Sequence, residues 1–320
     1  PKRHASLTLF SELGLSAKVL AAVEASGYTE PTPIQAEAIP HALERRDILG
    51  IAQTGTGKTA SFVLPMLTLL EKGRARARMP RTLIIEPTRE LAAQVEESFT
   101  RYGKDQKINV ALLIGGMSFG DQDKKIDRGA DVLIATPGRL LDLMNQKHVE
   151  LRRTSILVLD EADRMLDMGF VRDVKKIIAA MPQKRQSLLF SATMPKSIEH
   201  LAAEILKDPA RVEVTPEVVT VDKIDQRVMH VDGKRKRELL SKLLDDVDLS
   251  RVIVFTRTKH CANRVSEQLD KAGVPSEAIH GNKSQGARQR ALDNFRNGKA
   301  RVLVATDIAA RGIDVTGITH

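Results

Sequence analysis

The feature that most constrains this fold is a rhythm: short aliphatic and β-branched runs alternate with longer stretches of helical period. Candidate strands are Asp47–Ala52, Thr82–Glu86, Val110–Ile114, Asp131–Ala135, Ile156–Asp160 and Ser187–Ser191. Among and after them lie the amphipathic stretches Glu90–Thr100, Arg139–Asn145 and Lys196–Leu206. Runs this short and apolar throughout belong to strands covered by helices on both faces. Strand, helix, strand in repetition predicts an α/β fold with a doubly wound parallel sheet. The rhythm restarts with a strand over Val252–Thr256, a helix over His260–Lys271, a strand over Glu277–His280, a helix over Gln285–Asn297 and a strand over Arg301–Ala305. At roughly 100–200 residues per domain, 320 residues suffice for two. Arg211–Val214 reads as the last strand of the first domain. The expected division is therefore a domain over 1–214, a linker over Thr215–Lys223 and a second domain over 224–320.

Composition narrows the function classes. With 42% hydrophobic and 28% charged residues the chain is globular, not disordered. No run approaches the ~18 apolar residues of a membrane helix, and the greasiest, Phe62 to Leu70, is interrupted by Pro65 and Thr68. Pro1 to Ser11 lack the apolar core of a secretory signal. The single cysteine, Cys261, excludes an internal disulfide framework and a Cys-rich zinc site, so a reducing, cytoplasmic location and a plain buried thiol are expected. Fifty Lys and Arg against 41 Asp and Glu leave a formal +9, which suits a polyanionic partner and a soluble surface about equally. With no Trp, two Tyr and eight Phe there is little material for stacking on bases, so any nucleic acid should be gripped by its backbone. The basic run Arg74-Ala75-Arg76-Ala77-Arg78 reads as a solvated loop in preference to a phosphate contact. Lys234-Arg235-Lys236-Arg237 opens a predicted helix, where cations oppose the macrodipole and face solvent.

One segment carries specific chemistry. Ala52-Gln53-Thr54-Gly55-Thr56-Gly57-Lys58-Thr59 follows a candidate strand and opens a candidate helix. In that context freed backbone N–H groups wrap phosphates and the helix points its positive end at them. Lys58 is placed to reach the β- and γ-phosphates of a nucleotide, and the Thr59 hydroxyl to ligate Mg²⁺. The strict P-loop pattern wants Gly where Ala52 stands. About a hundred residues on, Ile156–Leu159 runs into Asp160-Glu161. Parallel sheets bind ligands beyond the carboxyl ends of their strands, so this pair should face the same crevice. Asp160 suits the Mg²⁺ shell, and Glu161 suits polarising an attacking water. Two acids after a strand are also a common helix cap, and it is the phosphate loop that tips the reading.

Asp160-Glu161-Ala162-Asp163 is the signature from which DEAD-box ATP-dependent RNA helicases take their name, and the chain resembles that family from Leu9 onward, most closely its bacterial RhlE-like branch. The resemblance implies two RecA-like domains, ATP and Mg²⁺ as cofactors, and RNA as partner to a monomeric core. Gly27-Tyr28-Thr29-Glu30-Pro31-Thr32-Pro33-Ile34-Gln35 is similar to the family's adenine-reading motif: the Gln35 carboxamide can pair with the adenine edge, and Phe10 stands where the family places an aromatic over the base. Without the resemblance Phe10 reads as core. Ser191-Ala192-Thr193 matches the coupling motif, expected to hydrogen-bond Asp163. Implied RNA contacts are Pro87, Thr88 and Arg89, Gly115 and Gly116, and Thr136, Pro137, Gly138 and Arg139 in the first domain. In the second they are Arg257, the Gln285 to Arg288 pair and Thr306, while Asp314 aligns with a residue that approaches the ATP ribose.

The family's arginine-rich motif, which supplies groups to the γ-phosphate, should follow Asp314 by some tens of residues, and the sequence stops at His320. The expectation is thus a trimmed helicase whose second domain is incomplete, with an exposed strand edge and impaired turnover. Two rival readings stand beside helicase action. One is a DNA translocase or other P-loop nucleotidase, which the Gln35 motif and Asp160–Asp163 disfavour. The other is an ATP-gated RNA clamp without efficient turnover.

Overall fold

In a computed structural model the chain divides into two compact units, residues 1–218 and 219–320. The structure describes residues 8–116, 119–214, 224–310 and 315–320; the expected linker over 215–223 and the Asp314 position lie outside the described residues.

The first unit is a seven-stranded sheet, every strand parallel. Its strands are β1 (Ile48–Ile51), β2 (Thr82–Ile85), β3 (Val110–Leu113), β4 (Val132–Ala135), β5 (Ile156–Leu159), β6 (Gln186–Ser191) and β7 (Ala210–Glu213), in the order β3-β4-β2-β5-β6-β1-β7. The helices are α1 (Ala17–Ala25), α2 (Pro33–Leu43), α3 (Lys58–Leu69), α4 (Arg89–Tyr102), α5 (Phe119–Asp127), α6 (Pro137–Asn145), α7 (Ala162–Asp167), α8 (Val171–Ala179) and α9 (Lys196–Ile205). Successive strand residues point to opposite faces. Accordingly Ile48, Ile84, Ile134 and Val158 pack under α1 to α4, while Leu49, Ile85, Leu133 and Leu157 pack under α5 to α9. Two cores share one sheet, which is why β1, β2, β4 and β5 are buried end to end. Each observed strand of this unit lies within two residues of its predicted bounds.

The second unit carries a smaller parallel sheet, β8 (Val252–Thr256), β9 (Ser276–Ile279) and β10 (Val302–Thr306), ordered β8-β10-β9. Around it lie α10 (Lys236–Leu244), α11 (Lys259–Lys271), α12 (Gln285–Arg296) and the short α13 (Asp307–Ala310). Val252, Val302 and Val304 pack with α10 and α11, and Leu303 and Ala305 with α12 and α13. In the described sheet β8 is an edge strand, and Phe255 on it is 62% exposed. The backbone of Thr319 and His320 hydrogen-bonds to Arg251 and Ile253 beside that edge. Cys261 is exposed, not buried as expected. It stands in the first turn of α11, whose packed residues are Ala262, Val265 and Leu269.

One tight fit locks the centre of the first core. Gly50 of β1 is paired in register with Phe190 of β6, and a Cβ at Gly50 would run into Cδ1 and Cε1 of that ring. The ring in turn meets Phe62 of α3 at a centroid distance of 5.5 Å. Gly50→Ala should destabilise the first unit by about 1–3 kcal/mol through overpacking, and Phe190→Leu in the same chain should recover part of that stability. Urea unfolding of the single and double variants checks this; additive effects would show that the two sites do not touch.

Candidate active site

The ends of four neighbouring strands, β2, β5, β6 and β1, build the site. Gly55 and Gly57 both have left-handed backbone (φ 81° and 86°), and Gly57 is the residue from which α3 starts. A side chain on Gly55 would meet nothing, whereas one on Gly57 would strike the Gln35 amide and the Thr32 hydroxyl. The Thr56 hydroxyl donates to the Gln53 carbonyl at 2.7 Å, closing the loop on itself. Ala52 has no positive φ, and its N–H donates to the Ser191 carbonyl at 3.1 Å, so the missing glycine leaves this loop unstrained. Gln53, Thr54 and Gly55 are exposed, and Thr59 is half-buried in the first turn of α3.

Lys58 is 5% exposed and donates from Nζ to Glu161 Oε1 at 2.9 Å, although 103 residues separate them. Glu161 is 3% exposed and itself left-handed (φ 55°, ψ 46°), an uncommon backbone for a side chain of this size. Its other oxygen lies 3.3 Å from Arg164 Nε. Asp160 Oδ1 accepts the Glu161 N–H at 2.9 Å. Two participants went unrecognised in the sequence. Arg164 is one. The other is Glu86, fully buried at the end of β2 beside the Asp160 carboxyl. Its signal was an acid closing the apolar run Thr82–Ile85, and the expected strand absorbed it. Burial, then the charges of Asp160 and Glu161, hold the Glu86 carboxyl well above the usual carboxylate range. Burial also pushes Asp160 up to about 6, against the pull of Lys58. The Asp160 carboxyl and the Thr59 hydroxyl stand at the same end of the sheet, oxygen donors of the kind a hard divalent cation takes.

The sequence profile of the DEAD/DEAH box helicases matches residues 32–201, and that of the helicase conserved C-terminal domain matches 235–320. The chain belongs to the DEAD/DEAH box helicase family. It is 44% identical over 311 residues to the DEAD-box ATP-dependent RNA helicase CshA of Streptococcus pneumoniae, covering 97% of this chain and 59% of that protein. It is 43% identical to the ATP-dependent RNA helicase DeaD of Klebsiella pneumoniae, over 98% of this chain and 48% of that one. The chain thus spans about half to three-fifths of the length of these curated relatives. Among solved structures it is similar to S. cerevisiae Dbp5 bound to RNA and ADP BeF3 (TM-score 0.82, 33% identity, 96% of this chain and 78% of that one). It is also similar to a DEAD box protein from Methanococcus jannaschii (TM-score 0.62, 35% identity, 97% and 84%).

The other motif residues of this DEAD-box chain fall as follows. Asp163 Oδ2 accepts from both the N–H (3.1 Å) and the hydroxyl (2.9 Å) of Thr193. The Ser191 hydroxyl accepts from the Asp163 N–H at 3.3 Å and donates to the Thr193 carbonyl at 2.8 Å. Gln35 is the third residue of a capping box that opens α2: its Oε1 accepts the Thr32 N–H at 2.9 Å, and its Nε2 donates to the Gly57 carbonyl at 3.1 Å. Phe10 is 4% exposed and packs in the core with Leu13 and Val19. Pro87 is buried, Thr88 caps α4 by accepting the Leu91 N–H at 3.3 Å, and the Arg89 guanidinium lies against Gly115. Gly116 is exposed, Thr136 and Pro137 open α6, and Gly138 faces open space. Arg139 lies in the first turn of α6. In the second unit Arg257 is exposed past β8, Thr306 is half-buried at the end of β10, and Arg288 is buried in α12.

An acid with a raised pKa keeps a proton in the folded state that the unfolded chain has lost. Asp160 therefore lowers folding stability as pH rises from 3.8 through about 6. Asp160→Asn removes that ionisation, so the variant's stability advantage over the parent chain should widen between pH 4 and pH 7. Urea midpoints at the two pH values check it; a difference that stays level or narrows would refute the assignment.

Proposed function

We propose that the chain is the ATP-hydrolysing core of an RNA helicase that opens short RNA duplexes locally, by ATP-driven closure of its two units on the RNA backbone. The observation that carries the reading is the buried Lys58–Glu161 contact at the mouth of a glycine loop, beside Asp160. A buried ion pair is poor value as a stability device. It is well placed to part when phosphate draws Lys58 and water takes up the freed Glu161 oxygen.

The left-handed glycines turn the loop's N–H groups toward the phosphates, and α3 adds the positive end of its dipole. Lys58 neutralises charge on the β- and γ-phosphates. Glu161 accepts a hydrogen bond from the attacking water and orients it. Asp160 and Thr59 would hold Mg²⁺, which when bound supplies Lewis-acid neutralisation of the phosphate oxygens. Each bond that Gln35 makes leaves one N–H and one lone pair on its carboxamide, enough to read the donor and acceptor edge of adenine. Asp163 bonds to Thr193 and Ser191, so a shift of the β5 acids is passed directly to β6. RNA phosphates are held by Thr88, Arg89, Gly115, Gly116 and Thr136 through Arg139 in the first unit. In the second they meet Arg257, Arg288 and Thr306. The S. cerevisiae Dbp5 structure with RNA and ADP BeF3 supports this assignment of ligands. The lone cysteine, Cys261, suits a reducing, cytoplasmic location.

Glu161→Gln should lower RNA-stimulated ATP turnover by at least about 100-fold while leaving nucleotide affinity within a few-fold. Steady-state turnover and calorimetric ATP binding check both parts. Turnover near the parent rate would remove Glu161 from its role.

A further inference from the structure

Because every strand of the first unit runs the same way, all segments entering the strands lie at one end of the sheet and all segments leaving them lie at the other. The two ends differ sharply in charge. The leaving segments in which the site is built, 52–57, 86–88, 114–116, 136, 160–161 and 192–195, contain no Lys or Arg and three carboxylates. The entering segments, 44–47, 70–81, 103–109, 128–131, 146–155, 180–185 and 206–209, contain sixteen Lys and Arg against seven Asp and Glu. Their excess of nine equals the formal charge of the whole 320-residue chain.

Two of those seven acids are buried and spend their oxygens mainly on backbone N–H groups. Asp47 is buried and accepts the Ser187 and Lys207 N–H groups, and Asp131 is buried and accepts those of Ala75 and Asn109 as well as Arg81. Some cations have local reasons to be there. Arg78 pairs with Asp127 and Arg152 with Glu150, while Arg45 and Lys147 sit just past helix ends where positive charge offsets the dipole. Arg74, Arg76, Arg153 and Lys184 do not. Each is exposed, lies more than one turn beyond the preceding helix, and among the described residues has no carboxylate at ion-pair distance.

The segments form one continuous band, not scattered loops. The Arg78 N–H donates to the Ile126 carbonyl (2.9 Å), Glu150 N–H to Arg78 (2.8 Å), and Ser155 N–H to Arg81 (3.0 Å). Gln186 then bonds through its N–H to Ser155 and through its side chain to Arg46, each at 2.9 Å. Seven strands at about 4.8 Å spacing give this band a length on the order of 30 Å. A band of that length with a net excess of positive charge suits an extended polyanion recognised by its backbone.

We propose that this end of the first unit, opposite the nucleotide loop, is a second RNA-backbone surface that holds a strand extending beyond the motif residues. The proposal rests on the helicase reading for the identity of its polyanion and goes beyond it in location. A helix of about ten residues is only some 15 Å long, so a strand leaving the motif end needs few nucleotides to reach the band.

The test is the chain carrying Arg74→Gln, Arg76→Gln, Arg153→Gln and Lys184→Gln, compared with the parent on poly(U) RNA of roughly 10 and roughly 40 nucleotides. Affinity for the long RNA should fall at least tenfold at low salt. Its log–log salt dependence should flatten by about 0.7 for each phosphate that the band no longer neutralises. Affinity for the short RNA, and the ATP turnover it stimulates, should stay within twofold, which also certifies the fold. Unchanged affinity for the long RNA overturns the proposal and leaves the band to an acidic protein or to solubility. Equal weakening for short and long RNA overturns it too, because the charges would then act only as a diffuse field. Failure of the helicase reading is a different outcome: neither RNA would stimulate turnover in the parent chain.

Discussion

A strand buried on both faces can meet solvent only at its ends, and the first unit follows from that constraint. Helices seal the two faces of its sheet, so chemistry has to be concentrated where the strands stop. The order β2-β5-β6-β1 places Glu86, Asp160 with Glu161, Ser191 and the phosphate loop at adjacent strand ends. Sequence separation then ceases to matter: residues 103 apart meet at 2.9 Å because β5 and β1 flank the same neighbour, β6. The same constraint sorts charge. Acids collect at the end that carries the glycine loop, and the loops at the other end hold an excess of cations.

Within the site the costs are local and large. Taking Lys58 and Glu161 out of water costs each ion several kcal/mol, and their attraction returns that only with good geometry. Glu161 adds an unfavourable left-handed backbone, and Glu86 adds a carboxyl that burial, then the charge of Asp160, raises well above the usual carboxylate range. Apolar side chains would pack there more cheaply. The expense sits beside two aliphatic cores and the interlocked Gly50–Phe190–Phe62 contact, which supply the stability that the strand ends give up.

Much of this was legible in the sequence. The strands announced themselves because runs such as Thr82–Ile85 and Ile156–Leu159 are apolar without alternation, and only a strand covered twice needs that pattern. The turn of the glycine loop was legible because glycine is the residue that takes left-handed backbone without strain, and Gly55 and Gly57 both do. Other features depended on tertiary placement. Glu86 looked like the end of a strand because its meaning comes from Asp160, which lies in a different strand. Cys261 was assigned to the interior on residue type, whereas the period of α11 turns it outward.

Gln35 shows how one side chain can be fixed by local structure and still be free for function. The capping box accounts for Oε1, since the first N–H groups of α2 need acceptors and Gln35 returns a bond to Thr32. The bond from Nε2 to Gly57 has no such local cause, and it ties the start of α2 to the residue from which α3 begins. Glutamate would keep the cap but turn an acceptor against the Gly57 carbonyl. Asparagine would keep both kinds of group but is one methylene too short to span the two. A carboxamide at this reach satisfies the helix start and the phosphate loop together, and the donor and acceptor it has left are held in fixed directions. A group immobilised in this way can discriminate between base edges, because it cannot rotate to suit the wrong one.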